Sequence, residues 1–196
     1  MTFRVGFVTG ATPDKWARAW RERSRERLEL EPLEETGQET GLLDGSLEMA
    51  LLRLPVDRSR LHCIPLYDEL PVAVMGHEHV LTLLDEVSTA DLDEEQLVLP
   101  HRSGWTPRAE QLTWPAMTEK DAIETVAAGT GVAVVPMSVA RLYHRKDATY
   151  RVVTDLEPTR IGLAWPINED RDPAAEERVQ TFIGIVRGRT ANSSRR

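Results

Sequence analysis

The sequence predicts an α/β fold. Apolar, strand-like segments alternate with helix signals at the start of the chain, and this order of elements is typical of a parallel sheet. A long apolar tract then runs from Leu61 to Met75 and contains Pro71. It is too long for one average strand and its proline disfavours a helix, so it is suited to carry the chain from one lobe to another. With 196 residues, the chain has room for one domain or for two lobes of about 100 residues each.

The first two elements are a strand and a helix. Residues 3–9 alternate apolar and small side chains, which predicts a buried strand. Thr12 is predicted to cap the helix that follows, with Pro13 at the first helical position and Asp14 in the first turn. This arrangement predicts a helix start close to the end of a strand.

The helix carries a narrow apolar stripe. Trp16 and Trp20 lie one turn apart and only Ala19 accompanies them, whereas a helix buried within its own fold usually has a wider apolar face. We therefore expect part of this helix to face a partner, and we predict a homodimer interface at Trp16 and Trp20.

A second strand, helix and strand complete the first half of the fold. Residues 28–33 alternate as a strand, and Thr36 and Glu39 have the spacing of a capping box before a short helix that Gly45 ends. The next buried strand is predicted over Leu47–Leu54.

Shorter signals organise the second half. Thr118 and Asp121 have the spacing of a second capping box, and we predict a helix from this point to Gly129. The polar tail 189–196 is predicted to fray. The other predicted elements are strands at 97–100, 132–136, 151–153 and 161–165, a helical turn at 137–142 and an amphipathic closing helix at 172–187.

The composition excludes several classes of protein. The net charge of −8 and the pI of about 5.2 repel nucleic acid, so we expect this chain not to bind DNA by itself. No apolar run has the length of a membrane span and no signal peptide is recognisable, which predicts a soluble, cytoplasmic protein. The single cysteine, Cys63, has apolar neighbours and is predicted to be a buried, inert thiol.

No pattern of residues indicates catalysis. A G-x-S-x-G elbow is missing, the histidines are scattered singly, and the turn after Gly10 lacks the further glycines of a dinucleotide-binding loop. His77 and His79 lack cysteine partners for a metal, and a solvated turn is the better interpretation. We therefore predict no catalytic residue, no metal and no cofactor.

Two segments have the chemistry to hold an anion. Thr9, Gly10 and Thr12 lead into a helix start, where free N–H groups and the helix dipole favour a carboxylate. The turn His101–Gly104 combines an imidazole, a guanidinium and a hydroxyl, which form charge-assisted hydrogen bonds with anions. The alternative for this turn is a surface loop that pairs with some of the surplus acidic side chains.

Several stretches of the chain, in order, resemble the effector-binding domain of LysR-type transcriptional regulators. They are FRVGFVTGATPDKW, GLLDGSLEMALLRLP, IPLYDELPVAVMGHEHVL, TVAAGTGVAVVPMSVARLYHR and TRIGLAWPINED, of which the Val-Ala-Ala-Gly-x-Gly-Val-Ala-x-Val-Pro stretch is the most specific. The resemblance implies two Rossmann-like lobes of the periplasmic-binding-protein kind, joined by two crossover strands, with the effector in a central cleft. The implied lobes are 1–72 with 157–196, and 73–156.

The resemblance also implies an effector site and a partner. The implied ligand is a small anion, expected to be a carboxylate, and the implied assembly is a homodimer. The helix-turn-helix with which the family normally begins has no counterpart before Phe3, so we expect the chain to lack it. The implied effector-binding residues are Thr9, Gly10, Thr12, Thr36, Leu54, Pro55, His101, Arg102, Ser103, Thr118 and Pro136.

Three functions from different classes follow from these observations. The first is an effector-binding module of a LysR-type regulator, or a stand-alone copy of that module. The second is a small α/β enzyme that uses His101 and Arg102 on an anionic substrate, for which turnover of a bound acid would be decisive. The third is a dimerisation partner that modulates an intact regulator, and co-purification with a helix-turn-helix protein would favour it.

Overall fold

Two mixed sheets organise residues 2–188, which are the part of the chain that the computed structural model describes. One sheet belongs to unit 1, formed by residues 1–67 and 160–196, and the other to unit 2, formed by residues 68–159. The chain passes from unit 1 to unit 2 within the strand Leu61–Glu69 and returns at the strand Thr159–Pro166. Both passages thus occur in extended segments, as a pair of crossover strands requires.

Unit 1 contains a five-stranded sheet in the order β2-β1-β3-β9-β4. Strand β1 pairs in parallel with both β2 and β3, as the strand–helix alternation predicts, whereas β9 pairs antiparallel with β3. The strands are β1 (Thr2–Val8), β2 (Arg27–Leu33), β3 (Met49–Arg53), β4 (Leu61–Glu69) and β9 (Thr159–Pro166), and the helices are α1 (Asp14–Arg23), α2 (Thr40–Leu43) and α5 (Pro173–Val186).

An aromatic cluster forms the centre of the unit 1 core. The rings of Phe3 on β1 and Trp20 on α1 stack with centroids 4.7 Å apart, and Phe182 on α5 contacts both at 5.7 and 5.9 Å. The indole Nε1 of Trp20 donates a hydrogen bond to the Glu26 carbonyl at 2.9 Å, so its polar end is satisfied within the chain. These contacts fasten both helices to the same end of the sheet.

The burial of the two indoles corrects one prediction. Trp20 is 1% exposed and Trp16 is 7% exposed, because α5 adds the apolar surface that makes the narrow stripe of α1 sufficient. The expectation that Trp16 and Trp20 are available to a second chain is therefore wrong. The exposed side chains of α1 are mainly basic, among them Lys15, Arg18 and Arg21.

Unit 2 contains a four-stranded sheet in the order β6-β8-β5-β7. Strand β5 pairs antiparallel with β7 and β8, while the two-residue strand β6 runs parallel to β8. The elements are β5 (Pro71–Gly76), a 3₁₀ turn (Val80–Leu83), β6 (Glu86–Val87), α3 (Glu119–Ala127), β7 (Ala133–Pro136), α4 (Met137–Leu142) and β8 (Ala148–Val153).

The predicted starts of the helices near Thr118 and Asp172 agree with the structure, whereas the predicted caps Thr12 and Thr36 are wrong. Thr118 and Asp121 form the predicted capping box of α3, and Asp172 caps α5 by accepting a hydrogen bond from the Ala175 N–H. Thr12 does not cap α1, because Pro13 occupies the N-cap position and no side chain caps this helix. Thr36 does not cap α2 either, since it lies in the preceding turn and Glu39 is at the N-cap.

The predicted strand at 97–100 is reduced to an isolated parallel bridge between Leu97 and Val132. Val98 N–H still donates to the Val132 carbonyl at 2.9 Å, so the segment lies beside β7 without extending the sheet. The predicted fraying of the tail 189–196 lies outside the described residues.

Candidate functional site

The carboxyl ends of three neighbouring strands gather the predicted site residues of unit 1. Thr9 and Gly10 follow β1, Thr36 follows β2, and Leu54 and Pro55 follow β3. The strands run in parallel, with Phe7 opposite Leu51 and Val8 opposite Leu33, so all three end at the same edge of the sheet. The Thr9 N–H donates to the Leu33 carbonyl at 3.3 Å and links the first two of these ends. Thr12 is exposed at the start of α1.

A buried arginine lies at the same edge. Arg53, the last residue of β3, is 0% exposed, and its Nη1 is 3.2 Å from the Glu35 carboxylate, which is 10% exposed. The Gln38 side chain pairs with the Arg53 backbone as a neighbouring strand would, donating to its carbonyl at 2.7 Å and accepting from its N–H at 2.9 Å. These contacts fix the Glu35–Gln38 turn, which carries Thr36, against the end of β3.

Sequence analysis missed Arg53, Glu35 and Gln38 as parts of this site. A signal was present, since Arg53 is the one charged residue in the strand MALLR, whose other four side chains are apolar and buried. A charge in such a strand needs a partner, because an unpaired ion in the interior is strongly disfavoured.

In unit 2, the turn at His101 satisfies much of its own hydrogen bonding. The Ser103 N–H donates to His101 Nδ1 at 3.2 Å, and the Ser103 hydroxyl lies 2.8 Å from the same nitrogen. Because a backbone N–H only donates, Nδ1 acts as an acceptor and the imidazole proton belongs on Nε2. The Gly104 N–H donates to the His101 carbonyl at 3.2 Å, and Gly104 has the positive φ of 76° that this turn requires.

Arg102 projects from this turn toward the start of α3. The residue as a whole is exposed, although desolvation lowers the pKa of its guanidinium and the Glu119 carboxylate opposes that shift. Glu119 is in the first turn of α3, directly after Thr118, so Arg102 and Thr118 belong to one neighbourhood. The Thr118 hydroxyl is engaged with Asp121 in the capping box, which leaves the exposed helix start, rather than the hydroxyl, for a ligand.

Pro136 ends β7 opposite Pro71, the first residue of β5. The segment before His101 forms a parallel bridge, Leu97 with Val132, next to the start of β7. From this bridge the two segments run in the same direction, one to His101 and the other to Pro136. The site residues of unit 1 thus share one sheet edge, whereas in unit 2 Thr118 is the N-cap of α3 and Pro136 is the last residue of β7.

The buried histidine predicts a pH dependence of stability. Desolvation lowers the pKa of His101 below its ordinary value, and a proton on Nδ1 would displace the Ser103 N–H. The unfolded chain therefore binds a proton that the folded chain resists, so the stabilising contribution is complete above about pH 6.5 and is lost as the pH falls below it. We expect the free energy of unfolding, measured in urea from pH 7.5 to pH 5, to fall less steeply with decreasing pH in His101→Gln than in wild type.

His62→Gln is the matched control for that measurement, because its side chain is exposed on β4. It should retain the slope of the wild type. An identical slope in wild type and His101→Gln would contradict the neutral, buried imidazole.

The described residues offer neither a reactive thiol nor a metal site. Cys63 is buried as predicted, and desolvation raises the pKa of its thiol, which opposes formation of the reactive thiolate. Residues 2–188 contain no group of three or more histidine, cysteine, aspartate or glutamate side chains placed to hold a metal ion. Within the same range, none of the helices combines the length and the apolarity needed to cross a membrane.

Comparison with known proteins identifies the family to which this chain belongs. The model of the LysR substrate binding domain matches residues 2–190. The HTH-type transcriptional regulator AlsR of Bacillus subtilis is 24% identical over 185 residues, which cover 86% of this chain and 60% of AlsR. A probable hydrogen peroxide-inducible genes activator of Mycobacterium avium is 27% identical over 152 residues, covering 69% of this chain and 48% of the activator. The chain thus spans about half to three fifths of the length of these curated relatives.

The fold comparison agrees with the sequence comparison. The solved effector-binding domain of a BenM variant superimposes with a TM-score of 0.72 at 21% identity, over 96% of this chain and 97% of that domain. The two sheets described above therefore correspond to the two-lobed fold of LysR regulatory domains, as predicted. The family and the matched relatives are transcriptional regulators and not enzymes, and the chain belongs to the family of LysR substrate-binding domains.

Proposed function

We propose that the chain is the effector-sensing module of a cytoplasmic LysR-type regulator and that its effector is a small carboxylate. The observation that carries the proposal is the convergence of three strand ends on one edge of unit 1, within a domain whose family match extends over nearly the whole chain. Ligands of open α/β sheets bind outside the carboxyl ends of the strands, where helix starts and loop N–H groups favour anions.

In this proposal each predicted residue has a definite part. The Thr9 hydroxyl, the Gly10 N–H and Thr36 supply donors, while Leu54 and Pro55 form the apolar side of the unit 1 site. The Arg53–Glu35 pair keeps the Thr36 turn against β3. Within unit 2 we propose Arg102 as the cation, together with the start of α3 at Thr118 and with His101, Ser103 and Pro136.

Stabilisation by carboxylates tests this function. A ligand at about 100 times its dissociation constant adds roughly 2.7 kcal/mol to the free energy of unfolding. We therefore expect at least one member of a panel of aliphatic and aromatic mono- and dicarboxylates to raise the melting temperature measurably. Thr9→Val removes a hydroxyl donor of unit 1 and Arg102→Ala removes the proposed cation of unit 2, so we expect each variant to reduce the shift.

Two variants outside the proposed site serve as controls for this screen. Thr154→Val and Arg108→Ala make the same two types of substitution at an exposed threonine and an exposed arginine of unit 2. They should keep the full shift. If no acid stabilises the wild type, or if a hit stabilises Thr9→Val and Arg102→Ala as much as the wild type, the proposed effector site is wrong.

A peroxide-sensing role, suggested by the name of the mycobacterial relative, finds no support in the chemistry of this chain. A thiol that reacts with peroxide is exposed and readily ionised. Cys63 is the single cysteine of the sequence, it is 8% exposed, and burial raises its pKa. Noncovalent sensing of an effector is the better proposal.

We also propose that the module works as a homodimer. The burial of Trp16 and Trp20 leaves the exposed basic face of α1, with Arg18 and Arg21, as the surface of this helix that a second chain would meet. Sedimentation velocity of the wild type and of Arg18→Glu/Arg21→Glu tests it. A dimer that the reversed charges leave intact would contradict an interface through α1.

A further inference from the structure

A groove in unit 2 lies at the end of the sheet where β5 finishes and β8 begins. It is bounded by α3, by the C-terminal end of α4 and by the loop 143–147, and its volume is about 510 Å³. A second depression of about 260 Å³ shares Ile123, Tyr143, His144 and Arg145 with it. The volume of the larger depression is in the range of small-molecule sites, about 300–1,000 Å³.

The groove is separate from the predicted effector residues of unit 2. Strand β5 runs from Pro71, which pairs with Pro136, to Gly76, which pairs with Ala148. Pro136 therefore lies at one end of β5, and the groove, lined by His77 and Ala148, lies at the other. None of the residues assigned to the effector lines either depression.

Core side chains of unit 2 form the floor of the groove. Val74, Ile123, Ala140 and Ala148 line it, and each of them is 6% exposed or less and belongs to one hydrophobic cluster. Tyr143 packs against that cluster and forms a wall. Because the four floor side chains are already covered, the apolar surface that a flat body would remove from water belongs to Tyr143 and Tyr150, which line the groove and are half-buried.

The rim of the groove is cationic, although the chain as a whole carries a charge of −8. Lys120, Arg145 and Lys146 line the two depressions, whereas Glu124 is the single acidic lining residue. Arg145 is held in place by two hydrogen bonds of 2.8 Å to Asp147, and its Nη1 lies 3.6 Å from Glu124. Two carboxylates thus already accompany Arg145, and the exposed Lys146 beside it is the better partner for an anionic group.

We propose that this groove is a second ligand site, which binds an aromatic carboxylate. The ring lies on the floor against Tyr143, and the carboxylate meets Lys146 and the outward edge of Arg145. The half-buried rings of Tyr143 and Tyr150 favour an aromatic ligand over inorganic phosphate, while the cations of the rim favour a negative charge. This proposal does not depend on the effector site of unit 1.

The test uses 2-naphthoate as the probe and ¹H–¹⁵N NMR of the isotopically labelled full chain as the readout. A probe of about a dozen non-hydrogen atoms is expected to bind with a dissociation constant of about 1 mM. We expect saturable shifts at the amides of Ile123, Lys146 and Ala148. The uncharged 2-naphthamide and inorganic phosphate should bind about tenfold more weakly or not at all, because each lacks one of the two required features.

Lys146→Glu and Arg108→Glu form a matched pair for this test. Both reverse an exposed cation of unit 2, but only Lys146 lines the groove. Lys146→Glu should weaken 2-naphthoate about tenfold or more, and Arg108→Glu should leave its affinity unchanged. Equal weakening by both variants, equal binding of the amide, or competition by phosphate would overturn the proposal.

The location of the shifts separates this site from the proposed effector site. Shifts that are confined to Thr9, Gly10 and Thr36 would overturn the groove and support the unit 1 site. Groove shifts that persist in Thr9→Val would support the groove independently. No saturable shift at Ile123, Lys146 or Ala148 up to about 10 mM probe, ten times the expected dissociation constant, would overturn the proposal.

Discussion

Trp20→Ala is expected to lower the free energy of unfolding by about 3–5 kcal/mol, the range for removal of a large aromatic side chain from a core. Trp20 stacks on Phe3, contacts Phe182 and donates a hydrogen bond to the Glu26 carbonyl, so the truncation removes three interactions and leaves a large cavity between α1, α5 and the sheet. Urea denaturation followed by circular dichroism measures the loss. Since most domains have a total stability of about 5–15 kcal/mol, the expected loss is a large fraction of the total.

Two observations would decide between burial and an interface at Trp20. Glu22→Ala changes an exposed residue of the same helix and should alter the unfolding free energy by no more than about 0.5 kcal/mol. A Trp20→Ala chain that keeps the wild-type stability but sediments as a monomer would show that the indole serves a second chain and would contradict the internal packing.

The second large effect is expected at Arg53. Arg53→Met keeps an unbranched apolar side chain but removes the guanidinium, and so leaves the Glu35 carboxylate, 10% exposed, without this cation. Removing one member of a buried ion pair costs about 3–5 kcal/mol, because the remaining charge stays desolvated. We expect a loss of this size in urea denaturation. We also expect weaker binding of any carboxylate found in the thermal screen, because the turn that carries Thr36 is fastened to Arg53 through Glu35 and Gln38.

A double-mutant cycle separates the pair from the packing at Arg53. Arg53→Met/Glu35→Gln removes the stranded charge and should recover part of the stability, and the coupling energy measures the pair itself. Arg60→Met provides the matched control, since Arg60 is exposed in the loop after β3 and its replacement should be nearly neutral. Additive effects of Arg53→Met and Glu35→Gln would contradict a direct interaction.

The sequence by itself determined the features whose causes are local. The parallel β1, β2 and β3 follow from apolar strands that alternate with short helices, and the capping box of α3 follows from Thr118 and Asp121 three residues apart. Asp172 caps α5 in the same way, through a residue three positions on. Family membership was likewise carried by short stretches in a fixed order, and the match over residues 2–190 confirms it.

The local patterns at Thr12 and Thr36 predict the wrong helix starts. Thr12 and Thr36 have the residue type of a cap, but α1 starts after Pro13 and α2 starts only at Thr40. A capping side chain stabilises a helix start by about 1 kcal/mol, which is too little to fix the boundary when the connection to the neighbouring strand sets a different one.

Only the tertiary structure decided which distant residues meet. Phe3, Trp20 and Phe182 come from β1, α1 and the last helix, and no sequence pattern links them, so the narrow stripe of α1 predicts an exposed surface where the structure has a core. The same holds for Arg53 with Glu35, and for the groove, whose floor comes from β5, α3, α4 and β8. Helix and strand signals act over three or four residues, whereas burial depends on contacts made only when the chain closes long loops and packs its elements together.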